Sequence, residues 1–385
     1  MSADELIRPW YEHLAADVPG LTVFDAHTHT GQNDPDGFRS TPEQLLSALA
    51  RVDARAAVFT MNEPGGYPPA NDRVLAEATA SEGRLVPFCR LDPRRDAAGE
   101  AERCLDAGAA GIKLHPRAEA FSLMDPGVRE VFSVAAERRV PVLIHAGRGI
   151  PALGRHALAT AEDFPSVPII LAHAGISDLA WIWRDAPSRP NLYFDTAWWN
   201  VSDLLTLFAL IPPGQILFAS DAPYGSPLSA AVMALRCGLQ VGLEAPALAG
   251  IMGAQMDRLL SGAEPLDLGP APGLGRTRGD LLLERVNQFL TWGLSRTALG
   301  LDPAEGVALA RLACEVGEDA PEAPVCRSVL ALLDRAEREG SRAEEPEQPF
   351  WPGTHLLAVA GTVARTPDVP LPANVEHMPV GERSP

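Results

Sequence analysis

A chain of 385 residues is too long for one small domain and suits one large domain of about 250 residues with a smaller addition. Hydrophobic residues at 46% and charged residues at 21% describe a globular protein, and a net charge of −18 argues against nucleic acid or acidic membranes as partners. Five cysteines, odd in number and without a C-x-x-C pair, argue against a disulfide framework or thiolate zinc site and fit a reducing cytoplasm.

Residues 1–21 form an acidic N-terminal segment without an apolar signal core, and no apolar run reaches transmembrane length. From residue 22 to 263, eight short apolar runs alternate with amphipathic helical stretches: 22–26, 56–60, 84–90, 110–114, 140–144, 168–172, 192–196 and 215–220. They are continuous, as strands of a parallel sheet buried on both faces must be. Helix starts stand between them. Thr41-Pro42-Glu43-Gln44 is a capping box with proline at the first helical position, and Asp125-Pro126 opens another helix. Eight strands alternating with helices over about 240 residues predict an α/β fold, a (β/α)8 TIM barrel. A doubly wound open sheet is the alternative, but no G-x-G-x-x-G follows the first strand.

Beyond the barrel, 264–278 is rich in Pro and Gly and reads as a linker. A helical extension follows over 279–340, in three helices near 280–299, 302–316 and 321–338. Residues 341–385, acidic and proline-rich, read as an extended or partly disordered tail with a short apolar patch at 356–363. The extension carries no site chemistry, which leaves packing on the barrel or homo-oligomer formation as its role. A chain ended near residue 270 is expected to keep a folded barrel.

Catalytic groups in a barrel sit at the C-terminal ends of the strands. His27 and His29 stand there on the first strand, Lys113 and His115 on the fourth, and His145, His173 and Asp221 on the fifth, sixth and eighth. Five of nine histidines fall at these positions, and Lys113 is the single lysine of a chain that otherwise uses arginine. A buried amine can be neutralised, coordinate or be modified, whereas a guanidinium cannot. His27 and His29, two apart on a strand, point to one side, and with a third imidazole and a carboxylate they make an N/O site for zinc or a similar divalent ion. Asp221 has a helix N-cap as its structural alternative, before Ala222-Pro223.

Five segments together resemble the amidohydrolase superfamily, in its amidohydrolase-related branch of metal-dependent hydrolases and decarboxylases. They are Phe24-Asp25-Ala26-His27-Thr28-His29, Gly111-Ile112-Lys113-Leu114-His115-Pro116, Pro141-Val142-Leu143-Ile144-His145-Ala146-Gly147, Leu171-Ala172-His173-Ala174-Gly175 and Phe218-Ala219-Ser220-Asp221. The resemblance implies that His27, His29, His145 and Asp221 bind metal. His173 would bind a second metal, or orient or protonate the substrate. It places Lys113 where binuclear members carry a carboxylated lysine bridging two metals; the other reading keeps Lys113 an ammonium that binds a substrate carboxylate.

The function expected is hydrolysis of a small-molecule amide, ester or lactone, with a metal-activated water and Asp221 as its base. A metal-dependent decarboxylase or hydratase is the alternative, and a non-catalytic binding protein on an inherited barrel the third reading. Around the site, Glu63 and Asn62 follow the second strand, Arg90 and Asp92 the third, and Asp195 the seventh. His115, Arg148, Glu63 and Trp198 are candidate substrate contacts, Arg148 as an anion clamp and Trp198 as an apolar wall. The polar stretch 30–38 is a candidate lid.

Overall fold

The computed structural model describes residues 3–147, 149–176, 178–342 and 348–372. Each apolar run forms a strand: β1 Val23–Thr30, β2 Ala54–Thr60, β3 Leu85–Leu91, β4 Gly111–Leu114, β5 Val142–Ile144, β6 Ile169–Leu171, β7 Leu192–Asp195 and β8 Ile216–Leu217. They pair in parallel in chain order. Although β8 is short, residues 218–222 continue it alongside β1. Ala26 N–H donates to Phe218 O (2.9 Å), Asp221 N–H to His27 O (2.9 Å) and His29 N–H to Ala222 O (2.7 Å), which brings the sheet round on itself. The architecture is a (β/α)8 barrel.

An N-terminal helix, α1 (Ala3–Ala16), precedes the strands, and α2 (Pro42–Leu49), α3 (Pro68–Ala80), α4 (Ala97–Asp106), α5 (Pro126–Arg138), α6 (Leu153–Asp163), α7 (Leu179–Ile182) and α8 (Val201–Leu210) lie between them. The capping box forms as read: Gln44 N–H donates to Thr41 Oγ1 (3.2 Å) and Thr41 N–H to Gln44 Oε1 (2.9 Å). Asp125 stands at the N-cap of α5, with Pro126 in its first turn.

Two apolar clusters follow from strand alternation. Phe24, Ala26, Ala57, Phe59, Phe88, Leu143, Ile170, Ala172, Tyr193, Leu217 and Ala219 fill the barrel, while the residues between them pack outward on the helices. Gly111 on β4 has no side chain because the Phe88 ring lies where one would go; a Cβ there would meet it at 2.5 Å. Lys113, next inward on the same strand, therefore sits directly above a filled core.

After β8 come α9 (Pro227–Val241), α10 (Ala245–Ala249), α11 (Gln255–Ser261), α12 (Leu281–Thr297), α13 (Ala304–Ala313), α14 (Ala323–Arg342) and α15 (Thr354–Arg365). The stretch 264–278 holds only a short 3-10 turn, Leu274–Arg276. In the stretch read as an extended tail the structure has α15, whose residues Leu356 to Ala364 are all buried. The apolar patch is thus one helix deep in the fold. It packs on α12 and α14 and on α8 and α9 of the barrel, and α1 reaches both α9 and α14. Residues 373–385 of that tail lie outside the described residues.

The junction has a polar centre. Arg236 on α9, fully buried, donates to Thr366 Oγ1 (2.9 Å), Thr366 O (2.8 Å), Val369 O (3.3 Å) and Pro370 O (3.1 Å) and lies over the Trp10 ring. A second contact reaches the strand ends: Gln348 exchanges hydrogen bonds with the Arg39 backbone, and Phe350 packs on Phe38.

Candidate metal centre and active-site cavity

Alternation along β1 puts Phe24 and Ala26 inside, so an unbroken strand would put Thr28 inside and both histidines outside. The register with β2 shifts between Asp25 and Thr28, and this irregularity moves His27 and His29 to the inner face. Asp25 anchors the shift. It is buried, accepts from His27 N–H (3.2 Å), from Ser220 N–H (2.9 Å) and from the Ser220 hydroxyl (2.5 Å), and burial pushes its carboxyl up to about 7.

His173 needs a comparable device. Ile170 and Ala172 point inward, so a continuing β6 would send His173 toward the helices. Its backbone is left-handed instead (φ 58°), which turns the imidazole into the mouth. Asp221 is also left-handed (φ 59°) at the end of β8. Lys113, His115 and His145 need no such device, since each keeps the inward parity of its strand.

The groups converge. His27, His29 and Asp221 offer ligand atoms that all lie within 4.8 Å of one another. Asp221 Oδ1 is 3.1 Å from both His27 Nε2 and His29 Nε2. His27 Nδ1 faces Asp195 Oδ2 at 2.8 Å, so it carries the proton and Nε2 keeps its lone pair toward the centre. Asp195 accepts from His173 N–H (2.8 Å) and Ala197 N–H (3.0 Å) as well, so one buried carboxylate orients two strand ends. His173 donates from Nδ1 to Ala197 O (2.8 Å), which leaves Nε2 as its acceptor. Neutral imidazoles with fixed lone pairs and a carboxylate are the donor set of a borderline divalent ion, and the residues fit one.

His145 stands differently. Its Nδ1 faces His173 Nε2 (2.9 Å), and its ring stacks on His115 with centroids 3.7 Å apart and planes within 11°. His145 Nε2 and His29 Nδ1 are buried without a partner. The structure thus gathers His27, His29 and Asp221 into one ligand set, with His145 and His173 as a hydrogen-bonded pair beside it. Lys113 completes the ring, fully buried, with Nζ 3.2 Å from His27 Nε2 and 4.6 Å from the Phe59 ring centre.

Burial depresses all five imidazoles below their ordinary range, with nearby cations adding to the effect. Burial also lowers Lys113 to about 7, against the pull of Asp221, and raises Asp221 to about 6. The sign for metal binding follows. Above these values Asp221 is ionised and Lys113 neutral, so no proton competes with a cation. Below them Asp221 must give up a proton and Lys113 is a cation. Metal affinity is expected to fall about tenfold per pH unit below pH 6, measured with a competing chelator between pH 5 and 8. An affinity flat down to pH 5 would contradict the raised Asp221.

The centre opens into a cavity of about 300 Å³, lined also by Arg90, Arg117, His115, Asn62, Asp34 and Tyr224. Arg90 is buried, paired with Glu119 (2.8 Å) and stacked on Tyr67. Tyr224 donates to Asp34 Oδ2 (2.6 Å) and meets the His29 ring edge-on. The stretch 30–38 supplies Asp34 and Asp36 to the rim. His115 lines the cavity, its Nδ1 accepting from Ala118 N–H (3.1 Å). Glu63 does not reach it: its carboxylate is held by Arg73 (2.8 Å) and Asn33 (2.8 Å). Trp198 stands 6.1 Å from the His173 ring, its indole N–H on Asp203 (2.7 Å). Arg148 lies outside the described residues. Tyr224 and Arg117 carry no signal in the sequence, since a Tyr or Arg in a loop has no periodicity or spacing to mark it, and Asp34 is marked only as part of the stretch 30–38.

The amidohydrolase family model matches residues 24–233, from the strand-one motif through the strand-eight aspartate and into α9. The chain belongs to this family. No curated protein matches the chain in sequence. Among solved structures its barrel is similar to 2,6-dihydroxybenzoate decarboxylase from Rhizobium, at 16% identity over 63% of this chain and 98% of that one, with a TM-score of 0.50. It is also similar to 5-carboxyvanillate decarboxylase from Sphingomonas paucimobilis, at 17% identity over 63% and 99%, with a TM-score of 0.51. At these identities the likeness is one of fold. No helix among the described residues is long and apolar enough to cross a membrane.

Proposed function

We propose that this amidohydrolase is a metal-dependent hydrolase of a small carboxylate-bearing amide, ester or lactone. The observation that carries the reading is the shared Asp221 oxygen, 3.1 Å from two inward imidazole nitrogens. His27, His29 and Asp221 would hold the ion, zinc by its donor preference, with His145 the further ligand that the strand-five motif implies. When bound, a divalent ion supplies Lewis-acid polarisation of a carbonyl and lowers the pKa of water. Asp221, at the centre of the ligand set, is placed to accept a proton from a water there. His173, with Nδ1 on Ala197 O and Nε2 an acceptor, would donate to an oxyanion or leaving group only after taking up a proton. Arg90 and Arg117 give the cavity permanent cations to bind a carboxylate, with the Lys113 amine beside them.

Decarboxylation is the second reading, favoured by Lys113. An amine beside the ligand set, in the same cavity as Arg90, suits a carboxylate that is itself the reacting group, and both similar folds named above are decarboxylases. Elemental analysis tests the common premise: purified protein is expected to carry at least one equivalent of divalent metal. Folded protein that takes up none from metal-replete medium would overturn both readings. Turnover of the loaded enzyme on carboxylated esters and lactones, with CO₂ release followed in parallel, then separates them.

A further inference from the structure

A second cavity of about 530 Å³ adjoins the metal cavity. It is built from the loops that follow β2, β3 and β4, the same end of the barrel. Asn62 and Ala118 line both cavities, so these residues belong to the ridge between the two. Their walls differ. Around the ligand set the groups are polar and charged; the second cavity has apolar faces from Pro64, Tyr67, Pro68, Leu91 and Ala97 together with charged side chains such as Asp92, Arg94, Arg95 and Arg103. Nothing in the chemistry of the metal site uses this space.

One polar group in the second cavity is unsatisfied. Glu119 is 4% exposed, and its Oε1 takes both the Tyr67 hydroxyl and Arg90 Nη2, while Oε2 has no partner. A buried carboxylate oxygen left bare costs free energy unless something meets it. Arg90, which lines the metal cavity, is the other half of that ion pair. The Tyr67–Glu119–Arg90 unit thus forms part of the boundary between the two spaces.

We infer that the second cavity is the subsite for the non-reacting part of the substrate, and that the substrate is an extended carboxylate with an apolar, ring-sized tail. The inference rests on the anionic-substrate reading above and adds where the rest of the molecule lies. The carboxylate end would stay with Arg90, Lys113 and Arg117. The tail would cross Asn62 and Ala118 onto the Tyr67, Pro68 and Leu91 faces. Remote binding of this kind is how an enzyme positions a small reacting group.

The test is calorimetric titration of the zinc-loaded full chain with acetate, phenylacetate, 3-phenylpropanoate, 4-phenylbutanoate and 5-phenylpentanoate. Affinity is expected to step up on the order of tenfold at the length that carries the ring across the ridge. Pro64→Trp, at an exposed position that lines only the second cavity, should remove the step and leave acetate binding unchanged. Ala97→Phe should do the same from the buried wall, with Pro64→Trp deciding the matter if that variant folds poorly. A flat series in the wild type, with acetate bound, would overturn the subsite alone. So would a step that persists in Pro64→Trp. Failure of every carboxylate, acetate included, would overturn the anionic-substrate reading and this inference with it.

Discussion

Lys113→Arg is expected to empty the metal centre while leaving the polypeptide in place. Lys113 is fully buried above Phe88 and Gly111, with Nζ 3.2 Å from His27 Nε2, and burial lowers it to about 7, so near neutrality it can be uncharged. Arginine keeps its proton with a pKa above about 12. A permanent cation would then stand beside the nitrogens and carboxylate that receive a dication. At about 4 Å and an effective dielectric near 20, unit charges repel by about 4 kcal/mol, so affinity should fall a hundredfold or more. Metal content by elemental analysis, with zinc titration of apoprotein, reads this directly. Lys113→Met, of similar volume and neutral, is the informative companion. A wild type with two metals and a Met variant with one would identify Lys113 as a bridging ligand. One metal in each, with carboxylate affinity lost, would identify a cationic clamp. A fully active, metal-replete Lys113→Arg would return the lysine to an accident of composition.

Ending the chain near residue 270 is expected to give insoluble or molten protein, contrary to what the linker composition suggests. The reason is α9. Thirteen of its fifteen residues are buried, because it has the barrel on one side and α1 and α15 on the other. Truncation strips α15 from α8 and α9 and takes α14 from α1. Uncovering even three large apolar side chains costs roughly 5–9 kcal/mol, the size of a domain's whole net stability. Arg236 would also lose Thr366, Val369 and Pro370 together. Size-exclusion chromatography and a thermal melt of the truncated protein decide it, since a monomer with a cooperative melt would show the extension to be dispensable. The bracing of Arg39 and Phe38 by Gln348 and Phe350 ties the same extension to the loop at the site.

The sequence by itself determined the barrel and most of its ring of chemistry. Continuous apolar runs leave a chain few choices other than a parallel sheet buried on both faces, and the capping residues at Thr41 and Asp125 mark where helices begin. Residues that keep the parity of their strand, such as Lys113, His115 and His145, were placed by alternation alone. What alternation could not give is the aim of His27, His29 and His173. The first two face inward through a register shift on β1 and the third through a left-handed residue, and both depend on partners nearly 200 or about 20 residues away, Ser220 on Asp25 and Asp195 on His173. Long-range hydrogen bonds of this kind leave no periodic trace. The same holds for α15, whose short apolar patch becomes a buried helix only once α9, α12 and α14 surround it. Local pattern chose the fold and the candidate residues at its strand ends; contacts between distant segments decided where those residues point and where the C-terminal helices pack.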